Sequence, residues 1–316
     1  MRRCGLLPLA TIAANIATPE PMPEDLKRGA AYAVAAAALF ALTAACIKHA
    51  AASVPNSMVV FFRSAVGLIT IAPFLLARRG FAALRTQRLF GHLWRSAFGL
   101  SAMYCFFFAI GRLPLADAML LNYSTPLYVP FIAWAWLHER PPAIVFPAVL
   151  TGLAGVALIV KPGGGGSFDP AAGLIGAISG VFAAGAMVNI RRIADTEPSG
   201  RIVFYFSLLS SAVSALPLWW TWRTPTRDAL LALLACGVLA TAGQLCLTRA
   251  YASARAALVG PFTYTSVIFA ALLGWALWSE TPDALSALGA LLVILTCVLA
   301  MRGGAKTPAV APLAED

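Results

Sequence analysis

Residues 134–143 read WAWLHERPPA, and residues 275–284 read WALWSETPDA. A shift of 141 residues lays Trp134 on Trp275, Ala135 on Ala276, Glu139 on Glu280, Pro141 on Pro282 and Ala143 on Ala284. Each copy is an apolar aromatic run, then a carboxylate, then a proline. That order marks the end of one hydrophobic helix and the first turn of the next, where proline is tolerated. The same ungapped register over 91–144 and 232–285 adds Leu93/Leu234, Cys105/Cys246, Ala109/Ala250 and Tyr123/Tyr264. Near an offset of 142, LFALTAA (39–45) lies over VFAAGAM (181–187). The chain is therefore an internal duplication, a feature that fixes architecture before any single element does.

What is duplicated is a set of membrane spans. Hydrophobic residues make up 60% of the 316 residues and charged residues 11%, where a soluble domain carries about 25% charged. Mean hydropathy is +0.81. A helix needs about 20 apolar residues to cross the hydrocarbon. Ten such runs occur, at 30–48, 57–77, 94–112, 115–137, 142–160, 171–190, 202–222, 229–248, 256–278 and 284–301. Turn chemistry separates them, as in KPGGGGSFDP after the fifth. Lipid leaves no water to satisfy the backbone, so these runs form helices, and no alternation of a β-barrel is present. The expected fold is an all-α integral membrane protein of ten transmembrane helices.

Five spans per half is an odd number. The second half must enter the membrane upside down, so the halves form two inverted five-helix repeats, the arrangement from which alternating access is built. Expected boundaries are a cytoplasmic, disordered tail at 1–28, a first repeat at 29–161, a Gly-rich periplasmic linker at 162–170, a second repeat at 171–302 and a cytoplasmic tail at 303–316. With the N-terminus placed inside, 17 of the 23 Lys and Arg fall in cytoplasmic segments and five in outer ones, with Arg63 inside a span. That bias puts both termini in the cytoplasm of a bacterial inner membrane. The same rule accounts for the net charge of +10. The basic residues lack the aromatic interleaving of a nucleic-acid platform, so the expected partners are the lipid bilayer and a small-molecule substrate.

The spans ending WLHERP and LWSETP carry a resemblance. So do AIGRLPLADAMLLNYSTPLYVPFIAW (109–134), its counterpart AYASARAALVGPFTYTSVIFAALLGW (250–275), and GLAG in span five. Over about 29–302 the chain resembles the drug/metabolite transporter superfamily, in its ten-helix EamA group. It departs from that pattern at His138 and Ser279, where the family usually has Gly before the Glu, a difference that concerns the helix-end turn. The resemblance implies a secondary transporter. FFRSAVGL and GRLPLADAMLLNYSTPL look most like the branch of opine-type metallophore exporters, with importers of S-adenosylmethionine or riboflavin as the alternative.

Intramembrane polar residues are costly and default to function. Arg63 is the one Lys or Arg well within a span, and snorkelling to the outer headgroups competes with lining a cavity. In span four, Pro126 and Pro130 free the carbonyls of Asn122 and Pro126, and Asp117, Ser124 and Tyr128 share one face, flanked by Asn122 and Tyr123. Span nine mirrors this with Pro261, Thr263, Tyr264, Thr265 and Ser266. Two proline-broken polar helices at repeat-related positions place a substrate site at the midplane, with Gln244 as a further lining residue. Hydrogen bonding between helices competes for each Ser, Thr and Tyr. Asp117 is the candidate charge partner of Arg63, and Glu139 and Glu280 are helix-end caps or gates. Gly176 and Gly180 form a Gly-x-x-x-Gly suited to close helix packing.

Other function classes find no residues. No His-Glu-x-x-His, Gly-x-Ser-x-Gly or P-loop is present, intramembrane acids do not pair, and the six cysteines form no Cys-x-x-Cys. No cofactor and no metal is expected. A channel has no need of inverted repeats.

Overall fold

The computed structural model describes residues 25–50, 53–110, 112, 121–160, 169–278 and 284–305. Among them the chain is helical, with no strand. The ten spans are α1 (Leu26–Ala50), α2 (Asn56–Arg79), α3 (Leu89–Ile110), α4 (Thr125–Leu137), α5 (Val145–Val160), α6 (Pro170–Ile193), α7 (Ser199–Ala215), α8 (Arg227–Ser253), α9 (Thr265–Trp278) and α10 (Ala284–Ala305). Five stretches are each long and apolar enough to cross a membrane: 26–47, 56–77, 170–193, 227–253 and 256–277. The outer surfaces of the helices carry large apolar side chains such as Ile69, Leu174 and Leu291, each more than 60% exposed. That exterior suits lipid and not water. Trp219, Trp220 and Trp222 project at the end of the α7 segment, as interfacial anchors do.

Helix starts follow local chemistry. Asp169 caps α6, accepting from the N–H of Ala171 (2.9 Å) and Ala172 (3.3 Å), with Pro170 in the first turn. Thr226 caps α8 through Ala229 N–H. Pro55 and Pro198 precede the repeat-related helices α2 and α7. α1 begins three residues ahead of the expected boundary at 29, because Asp25 accepts from the N–H of Arg28 at 3.1 Å.

The packing obeys the repeat. Exchanging each helix with its counterpart five places on maps the extensive α1–α8 contact onto α6–α3, α1–α9 onto α6–α4, and α2–α8 onto α7–α3. The pairs α2–α7 and α5–α10 map onto themselves. A pseudo-two-fold axis therefore passes through those two pairs, as inverted repeats require. α5 and α10 cross on glycine: a Cβ at Gly289 would collide with the carbonyl of Gly155, and one at Gly155 would lie 2.7 Å from that of Gly289. Small residues permit such backbone approach in lipid.

Candidate functional site

The fourth helix of each half is broken, as the prolines require. Residues 121–123 are helical, the chain turns at Ser124, and α4 resumes at Thr125. The Asn122 carbonyl freed by Pro126 accepts from the Thr125 hydroxyl at 2.6 Å. In the second half a short helix (Ala256–Val259) passes into a 3-10 turn (Gly260–Tyr264) before α9. There the Thr263 hydroxyl donates to the Gly260 carbonyl (2.7 Å), and Ser266 donates to Thr263 (2.8 Å). Hydroxyls within one turn thus cap backbone carbonyls at both breaks, the Asn122 carbonyl freed by Pro126 among them.

Between the two breaks lies a cavity of about 350 Å³, within the usual range for small-molecule sites. Its walls come from the first four spans of each half, while α5 and α10 stay outside. Of the residues singled out from the sequence, Arg63, Asn122, Tyr123, Gln244 and Thr263 line it. Ser124 and Tyr128 do not. They face α6, where a Cβ at Gly180 would lie 2.9 Å from Ser124 Oγ and 3.2 Å from the Tyr128 ring, and Gly176 takes Leu121 in the same way. The Gly-x-x-x-Gly is thus a packing groove for the broken helix. Tyr264 is fully buried against α5, its ring over Gly152 and its hydroxyl 3.4 Å from the Val149 carbonyl. Thr265 donates to the Phe262 carbonyl.

Arg63 Nη1 meets Met103 Sδ at 3.0 Å. A thioether is a weak acceptor, so the guanidinium keeps its capacity for a stronger one. Asp117, its candidate partner, lies outside the described residues, as does Glu280. Glu139 accepts from Arg191 Nε at 3.2 Å, while Arg191 Nη1 donates to the Ala252 carbonyl. These contacts tie the ends of α4, α6 and α8 together away from the cavity.

One lining residue was absent from the sequence-based candidates. Arg95 counts in the sequence as a cytoplasmic charge at the second residue of span three (94–112), but α3 begins at Leu89 and carries Arg95 into the cavity wall. It is 4% exposed. Its Nη2 donates to Gln244 Oε1 (3.1 Å), and its guanidinium stacks 4.2 Å from the Phe206 ring centroid. The signal available in the sequence was the apolar run FGHLW before it, which already belongs to the helix.

A largely apolar cavity set with a few polar side chains, between inverted, proline-broken halves, is the geometry of a carrier. The EamA-like transporter family matches residues 27–161 and 171–302, one copy per half. The chain belongs to that family. It is 38% identical over 279 residues to the Pseudopaline exporter CntI of Pseudomonas aeruginosa (strain UCBPP-PA14), covering 88% of this chain and 97% of the relative. A Riboflavin transporter of Vibrio cholerae is 24% identical, over 85% of this chain and 91% of that one. An S-adenosylmethionine uptake transporter of Rickettsia bellii is 25% identical, over 75% and 80%. A solved crystal structure superposes with a TM-score of 0.72 at 23% identity, covering 85% of this chain and 95% of the other, which shows the fold. This EamA-like chain is thus a multi-pass membrane transporter of two inverted five-helix repeats.

Proposed function

We propose that this transporter exports a small amino-acid-like or opine-type carboxylate across the bacterial inner membrane, with both termini in the cytoplasm and no chemistry done on the cargo. The observation that carries the reading is Arg63. It faces a cavity between the halves whose described lining contains no Asp or Glu, and its partner there is a thioether. Its guanidinium stays protonated at any physiological pH and matches a carboxylate with two parallel hydrogen bonds. The similarity to a pseudopaline exporter over nearly the whole length of both chains supports export of a compound of that kind. Asn122, Tyr123, Gln244 and Thr263 supply neutral donors and acceptors for the rest of the cargo.

The alternative is import of a metabolite such as riboflavin or S-adenosylmethionine. It rests on relatives at 24% and 25% identity, and a sulfonium cation is disfavoured beside a fixed guanidinium. Proteoliposomes holding the full chain and loaded with an N-(1-carboxyethyl)-amino acid test the reading. Release faster than from protein-free vesicles is expected. Release at the protein-free rate, with riboflavin released faster, supports the alternative instead.

A further inference from the structure

We infer that Arg95 is a second anion-binding residue of the cavity, so that the cargo carries two anionic groups, one held by Arg63 and the other by Arg95; this rests on the reading of Arg63 as a carboxylate binder. Arg95 is nine-tenths buried by a wide margin, yet its Nε and Nη1 have no hydrogen-bond partner among the described residues. A buried cation without an anion is costly. The donors it leaves unused sit in the wall of the cavity.

The charge balance of the whole chain points the same way. Of the 13 Asp and Glu in the sequence, only Asp117 falls in the interior of a span; the others lie in tails, loops and helix ends. One acid neutralises one arginine at most, and two face the cavity.

Neither cation is matched by a charge at its counterpart in the second half. With Pro55 aligned on Pro198, Arg63 corresponds to Phe206, and the 141-residue shift aligns Arg95 with Cys236 and Met103 with Gln244. Arg63 reaches Met103, and Arg95 reaches Gln244, the counterpart of Met103. Arg95 also lies over Phe206, the residue that replaces Arg63 in the second half. Both arginines thus belong to the first half. Among the described residues, the second half offers the cavity uncharged groups, among them Gln244, Thr263 and Ser266. The site is polarised: anions toward the first half, the neutral part of the cargo toward the second. Gly99, one turn beyond Arg95, leaves the room in which its guanidinium lies, since a Cβ there would collide with Nη1 and the Phe206 ring.

The experiment uses the purified full chain in lipid nanodiscs and titration calorimetry. The probes are an N-(1-carboxyethyl)-amino acid with a neutral side chain and its two monoamides. Wild type is expected to bind the diacid about tenfold more tightly than either monoamide, the worth of one charged hydrogen bond at each end. Arg95→Met removes the preference over one monoamide and keeps it over the other. Its melting temperature holds or rises, because an unpaired buried cation is gone; a structural arginine would lower it. Gly99→Ala keeps the charge but displaces the guanidinium, and should weaken the same preference. If both variants retain both preferences, Arg95 serves only to pack against Gln244 and Phe206. If wild type prefers the diacid over only one monoamide, and Arg63→Gln abolishes that preference, the second anion is overturned while the carboxylate reading of Arg63 stands.

Discussion

Replacing Glu197 with alanine should unfasten the two halves at one face of the membrane. Glu197 lies in the α6–α7 loop and is 1% exposed. Its carboxylate accepts from Thr86 Oγ1 at 2.6 Å, Gln87 N–H at 3.3 Å and Arg201 Nη1 at 2.9 Å. His92 Nε2 stands 3.4 Å away, an electrostatic approach without a formed hydrogen bond. Arg201 Nε in turn donates to the Ala83 carbonyl, and the Tyr205 hydroxyl to that of Leu84. The α2–α3 loop of the first half is thereby held on the start of α7 in the second. Removing one member of a buried ion pair costs about 3–5 kcal/mol. Arg201 is 15% exposed and keeps its bond to Ala83, so about 3 kcal/mol is expected for Glu197→Ala. Glu197→Gln keeps an acceptor and loses the charge, for about 1.5 kcal/mol. Burial raises the Glu197 pKa, but the hydrogen bonds from Thr86 and Arg201 and the charges of Arg201 and His92 outweigh it and hold the carboxyl below its usual range. A depressed folded pKa contributes stability above the unfolded value, near 4.3, which is lost as pH falls through the folded value. Thermal melts in detergent at neutral pH and below pH 4 read both effects. The difference between wild type and Glu197→Ala should be largest at neutral pH and shrink in acid. Equal melting of the two at neutral pH would refute the reasoning.

His138 ends α4 in the left-handed region, at φ 57°, so His138→Gly should raise stability by about 1 kcal/mol with transport unchanged; a lower melting temperature contradicts this. Gly289→Val would drive a side chain into the Gly155 carbonyl and Ile159, and should cost about 1–3 kcal/mol by overpacking, read as loss of folded protein in detergent, whereas a wild-type melt would disprove the close crossing. For topology, a cysteine at Ser167 should react with an impermeant thiol reagent from outside and one at Ser199 should not; the opposite pattern inverts the orientation.

Ten spans were legible because lipid removes most of the freedom that makes soluble folds hard to read. The repeat was legible because Trp134, Glu139 and Pro141 and their counterparts keep one spacing. In the site, Arg63, Asn122, Tyr123, Gln244 and Thr263 were recoverable from polarity at membrane depth. Ser124 and Tyr128 were not, because a helical wheel over 115–137 assumes a straight helix. The break at Ser124 ends that register, and Gly176 and Gly180 of α6 take up the face that results. Arg95 escaped for another reason. It counts as a cytoplasmic charge at the start of a span drawn from 94, while the helix that buries it begins at Leu89. The Glu197 cluster joins positions more than 100 residues apart, and no local pattern announces such a pairing.

The central role proposed for Arg63 is to read a carboxylate on the cargo. The measurement is transport into proteoliposomes of one amino-acid-like acid and its amide, by wild type and by Arg63→Gln. Wild type should favour the acid. The variant should insert and melt as wild type does, yet lose that preference, with acid transport falling far more than amide transport because the charged hydrogen bonds are gone. Unchanged preference for the acid in Arg63→Gln would reduce Arg63 to a packing or snorkelling residue and contradict the account.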